Sequence, residues 1–330
     1  MRTEAERVAL LAACFGQPAS GVGIGDDAAV LEPVGERLVW TVDAQVEGTH
    51  FRRAWLSWED VGWRSFMAAA SDLAAMHAAP LAALSSLVLA PSVGDDDLAA
   101  LAAGQAAAAK AIGAVVVGGN LARGTETSIT TTLLGRTAHP VLRSGAREGD
   151  GVWLAGRVGF AATGLAVLAR GALARGALAR GALERGVFEG PRFAECVAAW
   201  RRPRALVGLS LAGASAAVDI SDGLARDAAH VADASGVTIA IDSSTLTLPP
   251  RVGSEPRVGS EPRVGGEPRV GGEPLDLAIA GGEDYALLAT SAGPLAGFTR
   301  IGTVLARGAA AVLVDGAPPR AKGFDHFESK

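Results

Sequence analysis

The spacing of apolar positions changes repeatedly along the chain, and each change predicts an element. Between Arg37 and Asp43, the run RLVWTVD is rich in Val and Trp and predicts a strand that ends on a carboxylate. Ser57-Trp58-Glu59-Asp60 then reads as a helix start, with Ser57 as N-cap and Asp60 at the capping-box position. The helix should run to about His77 and stop before Pro80. Helical steps from Val61 through Ala68 and Asp72 to Met76 keep to one apolar face, so Asp72 points where a hydrophobic residue belongs. A buried carboxylate needs a partner, a hydrogen-bond network or a metal. Residues 81–89 read as a buried strand, and Asp95-Asp96-Asp97 starts an Ala-rich helix with acidic residues suited to its dipole. A strand over 114–117, a turn at Gly118-Gly119-Asn120 and a strand over 128–134 follow. Strands alternating with helices predict an α/β or α+β domain closing near residue 140, so the first domain spans 1–140.

A second domain, 141–330, opens with RSGAREGDGVWLAG, a turn leading into a strand. Low complexity interrupts it at 170–186, where Arg-Gly-Ala-Leu repeats every five residues. Five residues advance a helix by about 140° beyond one turn, so Leu173, Leu178 and Leu183 cannot share a face. The recurring glycines also weaken a helix by roughly 1 kcal/mol each. A second repeat, RVGSEP then RVGGEP, fills 251–274 and predicts a solvated loop. Between the repeats, AVDISDGL places Asp219 after a strand and Ser221 as the N-cap of a helix running towards Gly236. Capping or an i,i+4 pair with Arg226 explains Asp222, but neither explains Asp219. Finally, AIAGGEDYALLAT reads as strand, double glycine, acidic pair and strand.

Composition narrows the classes. With 330 residues, 49% hydrophobic and 20% charged, the chain describes a globular protein with a substantial core. A net charge of −5 without a Lys/Arg cluster argues against nucleic acid as a partner. It would also repel a phosphorylated substrate unless cations are bound. Two cysteines, Cys14 and Cys196, give no disulfide framework and read as buried structural residues. The N-terminal stretch looks like an amphipathic helix, not a signal peptide, and the Ala-rich region is too interrupted to span a membrane. The cytoplasm is the expected location.

The chemistry concentrates in carboxylates. GIGDDAAVL runs two glycines into Asp26 and Asp27, a surface turn or a cation site. Carboxylates recur in similar settings at Asp43, Asp72, Asp219, Asp222 and Glu283. Oxygen donors without His or Cys suit magnesium, which bridges phosphates. Neither a GxxxxGK loop nor a protein-kinase HRD loop is present.

Taken in order, GIGDDAAVL, TVDAQVEGTHF, SDLAAM, GGN, LRSGAREGD, AVDISDGL and GGEDY resemble the motifs of the thiamine-monophosphate kinase family, related to aminoimidazole-ribonucleotide synthetase. The resemblance implies a two-domain α/β fold whose N-terminal domains pair into a shared β-barrel in a homodimer. It implies ATP-dependent phosphorylation of thiamine monophosphate to thiamine diphosphate, assisted by several Mg2+ ions. By resemblance, Asp27, Thr41, Asp43, Asp72, Asn120, Asp219 and Asp222 are magnesium ligands. Gly119, Arg143 and Ser221 are ATP contacts, and His50, Glu283 and Phe324 are substrate contacts. The sequence departs from the pattern at Asn120, where aspartate is usual, at Val42 and Ala286, and at His77, where glycine is usual. A weakly active or non-catalytic nucleotide-binding relative is the alternative those departures leave.

Overall fold

The computed structural model describes residues 29–31, 36–178, 190–252, 273–320 and 323–324. Two mixed sheets and six α-helices make up these residues. The first sheet is built from β1 (Ala29–Leu31), β2 (Arg37–Val46), β3 (Ala79–Leu89), β4 (Val115–Arg123) and β5 (Ser128–Thr137), in the order β1-β2-β5-β3-β4. Its strands pair antiparallel except β3 with β4, which run parallel. Parallel neighbours need a crossover, and α2 (Asp95–Ile112) supplies it. Beside α2 lies α1 (Trp58–Ala75), and the two helices close a core of Val39, Phe66, Leu73, Ala108 and Leu133. The Ser57 hydroxyl accepts the Asp60 N–H at 3.0 Å, the N-cap that the sequence predicts.

Strand β2 shows how one face of this sheet collects polar side chains. Val39, Thr41 and Gln45 point inward and are buried, Asp43 is partly so, while Trp40, Val42 and Ala44 are exposed. The period-two alternation thus sets Thr41, Asp43 and Gln45 against the helices and leaves an outer face open.

The second sheet comprises β6 (Gly151–Ala155), β7 (Ala216–Ile220), β8 (Val237–Ile241), β9 (Ala286–Ser291), β10 (Thr299–Ala306) and β11 (Val312–Val314). Its order is β11-β8-β10-β6-β9-β7. Helices α3 (Phe160–Leu178), α4 (Pro191–Arg201), α5 (Leu224–Ser235) and α6 (Pro274–Ala280) complete the fold. Val218, Ile220, Leu224, Val231, Ile239 and Leu288 form the centre of its core. Ala74 and Ala75 of α1 pack on Ala155 and Leu287, so α1 belongs to both halves and its last turns lie at their junction.

Several expectations change. Helix α1 ends at Ala75 with Met76 as C-cap, and His77 lies beyond it at φ 54. The GGN segment is not a turn: β4 continues through it, with Gly119 opposite Ser85 and Asn120 opposite Ser86. A Cβ on Gly119 would stand 1.8 Å from the Ser85 carbonyl oxygen, so glycine here permits close strand approach. The first repeat is helical as far as Leu178, since α3 runs into it. Arg, Ala and Leu are among the best helix formers, so four residues in every five of the repeat favour the helix that the glycines weaken. Ala278-Ile279-Ala280 is helix, not strand, because a short apolar run fits either and Pro274 starts a helix well. Residues 179–189 and 253–272, which hold the later part of the first repeat and most of the second, lie outside the described residues, as do the N-terminal stretch, Cys14 and Asp27.

Candidate active site

The inner face of β2 meets α1 at a row of oxygen atoms. The Thr41 hydroxyl donates to the Asp72 carboxylate, bringing two oxygen donors side by side. Two residues along β2, Asp43 accepts from the Gln45 side-chain amide at 3.4 Å. Asp72 is partly exposed on α1, not buried among apolar neighbours, and faces this strand.

Opposite stand two loops of the second half. Asp219 lies in β7 with only 2% of its surface exposed. After it, the Ser221-Asp222-Gly223 loop wraps around Asp227, whose Oδ2 accepts the N–H groups of Ser221 at 3.1 Å and of Asp222 and Gly223 at 3.0 Å. The expected N-cap role of Ser221 is therefore corrected: Gly223 is the N-cap of α5, and a carboxylate inside the first turn satisfies the open N–H groups. Asp222 makes the anticipated i,i+4 ion pair with Arg226 at 3.5 Å.

The GGEDY loop is tied to this one. The Glu283 N–H donates to the Ser221 carbonyl at 2.7 Å, and the Tyr285 N–H to that of Ile220 at 2.9 Å. A Cβ on Gly282 would come within 2.3 Å of the Ser221 carbonyl oxygen, which explains the glycine. Glu283 and Tyr285 adopt positive φ of 67° and 49°, a cost of order 1 kcal/mol each that the surrounding contacts impose. The Phe324 N–H donates to the Asp222 carbonyl at 2.9 Å, so Phe324 also joins this corner.

Glu283 is gripped from two sides. Its carboxylate pairs with the Arg64 guanidinium and accepts the Trp200 indole N–H at 2.9 Å. Burial disfavours the Arg64 cation, but Glu283, Tyr285 and Asp43 together raise its pKa. The neighbouring Asp284 accepts backbone N–H groups of Gly159 at 2.5 Å and Ala161 at 2.8 Å at the start of α3. Burial pushes its carboxyl up to about 7 against the pull of those donors. His50 Nδ1 accepts the Val46 N–H at 3.1 Å, leaving the proton of the neutral ring on Nε2. Arg143 is half-buried near α5, where its charge acts on His230.

The fold thus gathers Thr41, Asp43 and Asp72 in one group, and Ser221, Asp222, Glu283 and Phe324 in another. Asn120 and Gly119 do not join the first group within one chain. They sit on edge strand β4, with β3 and β5 between them and β2, about 14 Å away at ordinary strand spacing. Sequence reasoning missed Asp227, Arg64, Gln45, Asp284 and Trp200. Asp227 was findable as an acidic residue in the first turn after a strand; Arg64, on the inner face of a helix, had a charge where core belongs.

The donor chemistry suits magnesium: Thr41, Asp43, Asp72, Asp219 and Asp222 offer oxygen only, and Thr41 already touches Asp72. Among the described residues no group of three or more His, Cys, Asp or Glu is close enough to hold a metal. Magnesium commonly takes one or two carboxylates and completes its shell with water and substrate phosphates, so this sparse arrangement fits a metal that arrives with a nucleotide.

Residues 25–137 match the family model described as AIR synthase related protein, N-terminal domain. That match takes in the first sheet with α1 and α2, so this part of the chain is similar to the AIR synthase-related N-terminal domain. A thiamine-monophosphate kinase of Aquifex aeolicus is 33% identical over 92% of this chain and 92% of its own length. One of Mycobacterium tuberculosis is 33% identical over 91% of this chain and 84% of its own. The structure of AaThiL complexed with AMPPCP and TMP superposes with a TM-score of 0.80 at 29% identity, covering 99% of both chains. This chain belongs to the thiamine-monophosphate kinase family and is a kinase.

Proposed function

We propose that this chain transfers a phosphoryl group from ATP to the phosphate of thiamine monophosphate, giving ADP and thiamine diphosphate. The observation that carries the reading is the likeness, along 99% of both chains, to a kinase structure complexed with an ATP analogue and TMP. The acceptor phosphate has a second pKa of about 6 and is already ionised near neutral pH, so no general base is required. The obstacle is repulsion between two anions. Magnesium, held by Thr41, Asp43, Asp72, Asp219 and Asp222 of the described residues and by Asp27, would screen that repulsion when bound.

The protein's own contribution is placement. Asp227 fixes the backbone of Ser221 and Asp222, so an ATP contact at Ser221 and a ligand at Asp222 are held together. Arg143, whose charge acts on His230 of α5, would supply positive charge for phosphate oxygens. His50, Glu283 and Phe324 form the acceptor side, and the positive-φ Glu283 is held rigidly enough to select one acceptor pose. ATP dependence fits the cytoplasm expected from the sequence.

The open outer face of the first sheet supports a homodimer. Trp40, Val42, Leu84 and Leu121 are 46%, 62%, 44% and 61% exposed, and the β4 edge is unpaired among the described residues. Two such faces closing on each other would form the shared barrel. Gly119 and Asn120, on that edge, would then lie at the subunit boundary.

Asn120 favours a second reading, a relative that binds ATP but turns over weakly. Asparagine keeps a carbonyl oxygen but lacks the charge that strengthens binding of hard cations. Purified protein incubated with ATP, magnesium and thiamine monophosphate should form thiamine diphosphate, read by chromatography. Asn120→Asp should then lower the magnesium concentration that gives half-maximal rate. ATP binding without product would favour the second reading, and neither binding nor product would reject both.

A further inference from the structure

Arg64 lies in the first half of α1 with 1% of its surface exposed, a place where an apolar residue would pack without cost. Replacing a buried ion pair by apolar residues is often neutral or stabilising, so stability does not account for a cation here. Its contacts do. The Nε donates to the Gln45 side-chain oxygen at 3.3 Å, Nη1 donates to the Trp200 carbonyl, and Nη2 pairs with Glu283. The guanidinium plane also lies 4.7 Å from the Trp200 ring centre. Trp200 donates its indole N–H to the other Glu283 oxygen at 2.9 Å, so one carboxylate oxygen faces the guanidinium charge and the other is hydrogen-bonded. On the far side, the Gln45 amide reaches Asp43 at 3.4 Å. A continuous polar chain therefore runs Asp43–Gln45–Arg64–Glu283, from the inner face of β2 to the GGEDY loop, crossing from one half of the fold to the other. The Glu283 end opens to solvent, its side chain 25% exposed, while the Arg64 end is sealed.

We infer that Arg64 is a positioning residue for the acceptor: it fixes the Glu283 carboxylate through a buried chain anchored on β2, and so sets affinity for thiamine monophosphate and not for ATP. The inference rests on reading Glu283 as an acceptor contact. A carboxylate oxygen fixed in direction suits an N–H donor on the acceptor's heterocycle, and a carboxylate free to rotate would lose that selectivity. Lysine cannot replace the fork, because three divergent N–H directions serve three different partners.

The test is a double-mutant cycle. KM for each substrate is measured in wild type, R64K, E283Q and R64K/E283Q, with thermal melts to confirm folding. R64K should raise KM for thiamine monophosphate about tenfold and leave KM for ATP within about twofold. Because Arg64 acts through Glu283, the double variant should be no worse than E283Q alone. W200F removes one donor and leaves Arg64 intact, giving a milder probe; it should raise the same KM about threefold. Independent effects of R64K and E283Q that multiply, or an equal rise in KM for ATP, would overturn the inference. An unchanged KM in E283Q would sink both the acceptor role of Glu283 and the inference built on it. An inactive wild type would strike the proposed function instead. The same cycle, read as dissociation constants for thiamine monophosphate by calorimetry, then decides the role of Arg64 without turnover.

Discussion

At the scale of single residues, the candidate site is held by groups that never reach the ligand. Asp227, 2% exposed, satisfies three backbone N–H groups of the loop that carries Ser221 and Asp222. Asp227→Ala would leave those donors without their acceptor and should cost about 3 kcal/mol of stability in denaturant unfolding, with activity falling as the loop loosens. Retention of full stability would mean that the loop is fixed by its ties to Glu283 and Phe324 instead. On the same helix, burial first and then the charges of Arg143 and Arg226 lower the His230 pKa to about 4, while Asp233 acts in the opposite sense. Asp227 Oδ1 lies 3.9 Å from its Nδ1. The folded pKa is below the unfolded value of about 6.5, so the unfolded chain takes up the proton first. Stability is full above about pH 6.5 and declines as pH falls towards 4. Melting curves of His230→Gln should lose less stability than wild type across that window, and parallel curves would refute the assignment. His77 belongs at this scale too: its φ of 54° explains why glycine is usual at that position in the family pattern.

Among the elements, α1 has the most to do. It closes the first core, touches the second through Ala74 and Ala75, and carries both Asp72 and Arg64 on the side facing β2. The second repeat stands at the opposite extreme. Arg251 at its start and Glu273 near its end form an ion pair, so the chain leaves and returns at one point. Replacing 253–272 with a short Gly-Ser linker should change stability and activity little, because shortening a loop with adjacent ends alters closure entropy only slightly. The linker must spare Glu273 and Pro274, which begin α6. A collapse in melting temperature would show that the segment is built into the fold.

For the whole molecule, the exposed apolar face of the first sheet is the feature that a single chain does not resolve. Val42, 62% exposed on that face, points away from Thr41 and Asp43 of β2. Val42→Lys should therefore convert a dimer to monomers in sedimentation while leaving the monomer folded, since a like charge from each copy would face an apolar surface. An unaltered dimer would place the interface elsewhere. The sequence by itself determined the family, the alternation of strands and helices and the Ser57 cap, because local spacing and ordered motifs carry that information. It misplaced the GGN segment, the N-cap of α5 and the Ala278–Ala280 run, where a partner strand, a carboxylate in the helix's own first turn or a proline decides between local options that spacing leaves equal. Only the tertiary structure decided that Thr41 meets Asp72, that Arg64 joins β2 to Glu283, and that two strands stand between Asn120 and Asp43. Those relations depend on which helix crosses which strand and in what register, and the contacts that fix them are distant in sequence.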